Sequence, residues 1–292
     1  MNAIFYALTA YFGWGLGDTT GAIISRRMSS WSLTFWGFLI RLLLYSACIP
    51  FFLSDLQGLT PTIALIAIVV GSASALGYLS FYKATNLTNP TLAGAISCSW
   101  GASSLLYSLL FLHEVPTQSQ TAALIVIFIG IMLGILQTSK ATTGTWRISI
   151  MRDKGIGYAF LSLLLWGICG SFIKIPIQAI GWFWSTYALV IPFMAIALYQ
   201  LVVKKNWPEN PIKAKTSGLL ILYAVLTVIA ESTFNIGIIH GHVSVVAPIA
   251  GSYSTLYAVL SLLLFKEKLG GLQKLSVAIT ICGIVALSMV SV

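Results

Sequence analysis

The chain has 292 residues, of which 58% are hydrophobic and only 8% charged, with a mean hydropathy of +0.93. Soluble domains carry about a quarter charged residues, so this composition excludes a soluble surface and assigns the chain to the all-α polytopic membrane proteins. Basic residues outnumber acidic ones by 16 to 7, for a net charge of +9; in a membrane protein that excess belongs to orientation-setting loops, and no nucleic-acid partner is expected.

Stretches of about 20 apolar residues mark membrane spans. Ten follow in chain order: 3–24, 31–53, 62–82, 90–112, 118–137, 156–178, 181–203, 216–239, 243–265 and 272–291. Span 1 has no basic residue before its apolar stretch and no clear cleavage site, so it is read as a span and not as a removed signal. It carries Trp14 and, one turn on, Asp18, with Gly13, Gly17 and Gly21 at every fourth position. Such small-residue faces let helices approach closely. Span 2 holds Arg41 with about ten mostly apolar residues on either side. At ~1.5 Å per residue that is ~15 Å from each end, near the midplane of a ~30 Å core. A charge there costs at least ~2.5 kcal/mol.

Span 3 stacks Tyr78 and Tyr82 and ends at Lys83; span 4 carries Trp100 and ends at Glu114; span 5 has Gly130 and Gly134. The stretch 138–155 is the natural boundary between two halves. Span 6 carries Trp166-Gly167 at its middle and Lys174 a turn from its end. Trp31, Trp182 and Trp184 sit at span ends, as interface anchors do. Span 8 stacks Glu231 and Asn235 ahead of a His240-Gly241-His242 turn, and span 9 carries Tyr253 in its middle, with Glu267 at its end. Cys48, Cys98, Cys169 and Cys282 all fall in apolar runs with no CxxC pair, and serve as small apolar filler.

The halves resemble each other. SLLFLHE at 108–114 matches SLLLFKE at 261–267, an offset of 153, which also pairs Ser99 with Ser252 and Trp100 with Tyr253. At an offset of 152, Trp14-Gly15 pairs with Trp166-Gly167. Residues 1–138 and 156–292 are therefore read as two five-helix repeats, joined by a cytoplasmic linker at 139–155. Five is odd, so the second repeat enters the membrane inverted, an architecture of transporters with midplane sites. Apart from Arg41 and Lys174, every Lys and Arg lies at the connections after spans 1, 3, 5, 7 and 9. That asymmetry places both termini outside the cytoplasm.

The block NLTNPTLAGAISCSWGASSLLYSLLFLHEVPTQSQTAALIVIFIGIMLG and its counterpart HVSVVAPIAGSYSTLYAVLSLLLFKEKLGGLQKLSVAITICGIVAL resemble the drug/metabolite transporter superfamily, EamA type. The carrying features are a helix rich in small residues, an apolar stretch ending in Glu114 or Glu267, and a following helix with Gly130 or Gly283. Pro248 fits as well; the first block has Ala95 there, a departure. The resemblance implies ten helices in two inverted repeats in the cell (inner) membrane. It also implies alternating-access transport of small metabolites, amino acids or related compounds foremost, with sugars, nucleotide-sugars and drugs as alternatives. Members are often described with cytoplasmic termini; the charges indicate the reverse and are followed here.

One guanidinium and two acids inside ten spans suggest a polar midplane site. Arg41 offers bidentate recognition of an anionic substrate group, and Asp18 and Glu231 could hold an amine. Glu231 is the candidate carrier of a coupling proton. The competing expectation is a permanent ion pair of Arg41 with Asp18 or Glu231. Trp14, Tyr78, Tyr82, Trp100, Asn235 and Tyr253 complete the candidate substrate-binding set. Glu114 and Glu267 suggest capping or loop pairing at helix ends. No metal site or cofactor is expected, and no nucleotide-binding or hydrolase motif occurs. An integral-membrane enzyme, or a receptor or scaffold, would need clustered polar chemistry or an extramembrane domain. The sequence leaves monomer and homodimer open.

Overall fold

A computed structural model describes residues 2–88, 90–143, 154–264 and 271–290. Glu267, Lys266, Lys268, Arg147 and Arg152 lie outside the described residues, as does most of the expected linker. The described chain is helical, with no strand: α1 (Asn2–Ile24), α2 (Ser30–Cys48), α3 (Pro61–Leu87), α4 (Pro90–Ser97), α5 (Trp100–Phe111), α6 (Gln118–Thr143), α7 (Lys154–Phe172), α8 (Lys174–Ala188), α9 (Ile191–Val202), α10 (Ser217–His240), α11 (Val243–Gly251), α12 (Ser254–Leu264) and α13 (Gly271–Val290). Helices are what hydrocarbon demands, because each backbone donor must find its acceptor within the segment. Among the described residues, six stretches are long and apolar enough to cross a membrane: Ser30–Phe51, Pro61–Leu87, Ala93–Phe111, Lys154–Phe172, Lys174–Val202 and Ser217–His240. Gln118–Leu133 and Lys274–Leu287 are apolar but shorter. The chain is a multi-pass membrane protein.

Local chemistry sets the helix ends. Ser29 caps α2 by accepting from the Ser32 amide, and Thr60 caps α3 by accepting from Ile63, with Pro61 at the first position. The expected span 31–53 is cut short at Cys48 because Pro50 has no amide hydrogen to continue the ladder; two short 3-10 turns, Ile49–Phe51 and Leu53–Gly58, follow. Gly181 supplies the positive φ of 73° at the kink within α8, between expected spans 6 and 7. At its other end the expected span 118–137 runs on as helix to Thr143.

Two expected continuous spans are broken in the middle. Span 90–112 splits into α4 and α5 at Cys98-Ser99, and span 243–265 splits into α11 and α12 at Ser252-Tyr253. The paired serines act alike. Ser99 Oγ donates to the Ala95 carbonyl at 2.6 Å, and Ser252 Oγ donates to the Pro248 carbonyl at 2.6 Å. At the first break the Ser99 amide has turned to the Ile96 carbonyl, and its hydroxyl takes up the Ala95 carbonyl in its place; at the second the Pro248 carbonyl accepts from both the amide, at 3.1 Å, and the hydroxyl of Ser252. Pro248 lies inside α11, one turn before its break, and leaves the Ser244 carbonyl without its ladder donor; Ala95 stands at the matching position before the first break.

The helices pack by exchange between halves. α1 lies against α10, α3 against α7, and α6 against α13, while α5 packs on α7 and α11. The approaches are close. A Cβ on Gly13 would sit 2.8 Å from the Ala230 Cβ, and one on Gly251 would sit 2.7 Å from the Cα of Gly101, where the two broken helices cross. Hydroxyls tie further pairs: Ser162 donates to the Gly77 carbonyl at 3.0 Å and Ser171 to the Ser104 carbonyl at 2.8 Å.

Gly251→Val should push α11 from α5 and destabilise the protein by about 1–3 kcal/mol. Thermal unfolding in detergent measures it; an unchanged midpoint would mean that the crossing tolerates a side chain.

Candidate functional site

On α2, Phe38, Arg41 and Tyr45 fall on one face by their spacing of three and four. Arg41 is 0% exposed. Its Nη2 donates to Glu231 Oε1 on α10. Tyr45 donates to the other carboxylate oxygen at 3.4 Å. The guanidinium carbon lies 4.4 Å from the Phe38 ring centre and 5.2 Å from that of Tyr78, within cation–π range. Phe38 is itself stacked on Phe193 at 4.3 Å. Arg41 Nε and Nη1 have no hydrogen-bond partner.

Asp18, on α1, is equally buried. Its Oδ2 accepts from the Tyr253 hydroxyl at 2.7 Å, at the break between α11 and α12. Its Oδ1 accepts from nothing.

A cavity of about 40 Å³ lies among α1, α3, α5, α7, α10 and the α11–α12 break. One water needs about 10–15 Å³ of such space, so it holds about three waters. Three pairs matched by the 152–153 offset line it: Trp14 with Trp166, Tyr78 with Glu231, and Trp100 with Tyr253. Trp14 and Trp100 meet edge to face at 5.4 Å, Phe234 closes on both at 5.3 and 5.5 Å, and Tyr78 meets Trp166 at 4.9 Å. Asn235 adds a polar group. Its Nδ2 donates to Thr186 Oγ1 at 2.7 Å, and that hydroxyl donates to the Trp182 carbonyl at 2.6 Å. The amide orientation is thereby set, which leaves Asn235 Oδ1 without a partner.

Of the residues expected at the site, Trp14, Tyr78, Trp100, Glu231, Asn235 and Tyr253 line this cavity. Arg41, Asp18 and Tyr82 do not. Arg41 lies behind Tyr78 and Glu231, Asp18 behind Tyr253, and Tyr82 stacks beyond Tyr78 at 6.3 Å. Trp166, Phe234, Ser74 and Cys169 also line it and were not picked out as site residues. The signal for Trp166 was its pairing with Trp14; for Tyr45 and Phe38 it was their spacing from Arg41.

Away from the cavity, Glu114 sits buried between the halves. It pairs with Lys174 of α8 and accepts from the Ser244 amide at 2.8 Å at the start of α11, so it both pairs and caps. Lys83 lies over the Tyr158 ring at 4.4 Å, and His240 stacks on Tyr6 at 5.7 Å. Trp31 donates to the Asn206 carbonyl at 3.2 Å and Trp184 to the Phe52 carbonyl at 2.6 Å. No group of three or more His, Cys, Asp or Glu is placed to hold a metal among the described residues.

Burial works to raise the Glu114 carboxyl, but Lys174 and the Ser244 and Val243 amides outweigh it and hold the group below its ordinary range. A lowered folded value contributes stability that is present above the unfolded value of about 4.3 and lost as pH falls through the folded one. Melting temperature should therefore fall between about pH 5 and about pH 3, and Glu114→Gln should flatten that fall. An equally steep fall in the variant would assign the acid sensitivity to other groups.

A family model described as the EamA-like transporter family matches residues 1–136 and 153–289. No curated protein matches in sequence. Among solved structures, 29 chains match. One, described only as the crystal structure of a protein, aligns with a TM-score of 0.72 at 16% identity, covering 99% of this chain and 97% of its own. At that identity the likeness speaks for the fold alone.

Proposed function

We propose, since the chain belongs to the EamA-like transporter family, that it is a secondary-active transporter of small metabolites that works by alternating access around the central cavity. Ten spans arranged as two inverted repeats, 1–138 and 156–292, account for several features together. A two-fold axis in the membrane plane exchanges the pair α1–α10 with the pair α7–α3, and both packings occur. It also relates the two serine-bridged breaks. The observation that carries the proposal is the cavity itself, whose walls come in three repeat-related pairs. A site on the axis between two repeats is where rocking of one against the other would switch access from one side to the other.

In this scheme Trp14, Tyr78, Trp100, Asn235, Glu231 and Tyr253 meet the substrate. Arg41 holds the Glu231 carboxylate in place, and Asp18 holds Tyr253. Tyr82 backs Tyr78. The proposed coupling ion is a proton, carried on Glu231; its protonation would release it from Arg41. A polyhydroxylated sugar fits poorly, because it needs a partner for nearly every hydroxyl and the walls are mostly apolar. The Lys and Arg distribution supports termini outside the cytoplasm, in the inner membrane.

Purified protein in liposomes, given amino acids, amines, sugars and phosphorylated metabolites with and without a proton gradient, tests the proposal. At least one solute should accumulate. Arg41→Ala should lower uptake by roughly tenfold or more, since breaking a buried pair costs about 3–5 kcal/mol. Trp100→Leu, which leaves the ion pair alone, should lower it as well. Folded protein that moves nothing in the panel would sink the transporter reading.

A further inference from the structure

The cavity is walled by Trp14, Trp100, Trp166, Tyr78, Tyr253 and Phe234, and among the described residues the one acidic or basic side chain on its surface is Glu231. Glu231 is already matched to Arg41. Asp18, buried behind the Tyr253 hydroxyl, is not. With both carboxylates ionised, one guanidinium leaves one negative charge over. An unmatched charge in a membrane interior is costly, and Asp18 Oδ1 and Asn235 Oδ1 are acceptors without a partner, while on the cavity wall the Trp166 ring nitrogen is a donor without one. Aromatic rings around an electron-rich box are the recognised means of holding an ammonium group away from water. An anion would meet the reverse: ring faces that repel it, and a guanidinium screened by Tyr78 and neutralised by Glu231.

We propose that the cavity takes a monovalent organic cation, an amine or quaternary ammonium, seated among the three tryptophans and balanced by the Asp18 carboxylate. This rests on the cavity being the substrate site. The space present, about 40 Å³, is smaller than such a headgroup, so the walls part to admit it. Phe234 and Trp100, which close on Trp14 from two elements, are the rings that must separate. The set then holds two positive and two negative charges when loaded.

The test is calorimetric titration of the full chain in detergent with three probes of one shape: choline, the uncharged alcohol with carbon in place of its nitrogen, and the matching carboxylate. Choline should bind more tightly than the alcohol by roughly tenfold or more, as a desolvated cation–π site predicts, and the carboxylate should bind least. Asp18→Asn should cost choline roughly tenfold more affinity than it costs the alcohol, so that the two come level, a split that loss of folding would not produce. Trp100→Leu should weaken choline selectively. Equal binding of choline and alcohol, preference for the carboxylate, or no binding to folded protein would each overturn the assignment. Liposome uptake separates the two proposals. Choline bound while no solute of the panel is carried removes the transporter and leaves the cation site. Carriage of neutral or anionic solutes alone does the opposite.

Discussion

A guanidinium with no access to water must be neutralised within reach of its own side chain, and Arg41 does this through Glu231. The consequences spread along the helices. The pair ties α2 to α10, and α10 in turn lies along α1 through the Gly13 face. Tyr45 completes the carboxylate, and Phe38 and Tyr78 bracket the cation. Buried ion pairs seldom stabilise more than apolar residues of the same size would, so their worth here lies in position: Glu231 is kept pointing at the cavity wall.

Around that pair the interior is organised by small residues and hydroxyls. Glycines let α5 and α11 cross with backbones in contact, and serines carry hydrogen bonds between neighbouring helices. Lipid gives helices no hydrophobic reason to associate, so close packing and such bonds must hold the bundle. The aromatic residues are kept for the centre, where they wall a cavity with room for few waters.

Much of this was legible. Apolar runs located the helices, and Arg41, Asp18 and Glu231 stood out because charge is rare in such surroundings. The repeat offset named pairs that meet at one cavity. The mid-span breaks were not legible. Around Cys98-Ser99 the sequence has neither proline nor glycine at the break itself, and a run of small apolar residues reads as continuous helix. Nor was the layering of the charges, with Glu231 on the wall and Arg41 and Asp18 behind. Helices apolar on all sides have no periodicity to tell a lipid face from an inner one, so the rotation that hides Arg41 yet exposes Leu43 at 61% is decided only by packing. Trp166 has no charge to mark it, and its match to Trp14 is its one signal in the sequence.

The serine-bridged breaks change what bending means. In an unbroken helix, tilting one half against the other stretches ladder bonds, and the penalty rises with angle. At Ser99 and Ser252 each bridge closes within its own lower segment, from residue i to i−4, so it does not lengthen when α5 or α12 swings. The backbone bonds that remain at the breaks are few and short-range, Ala102 to Ser99 and Tyr253 to Ala250. Motion can then be shared by two short levers instead of two rigid five-helix bodies, and small displacements of Trp100 and Tyr253, which sit beside the joints, would set how wide the aromatic box stands open.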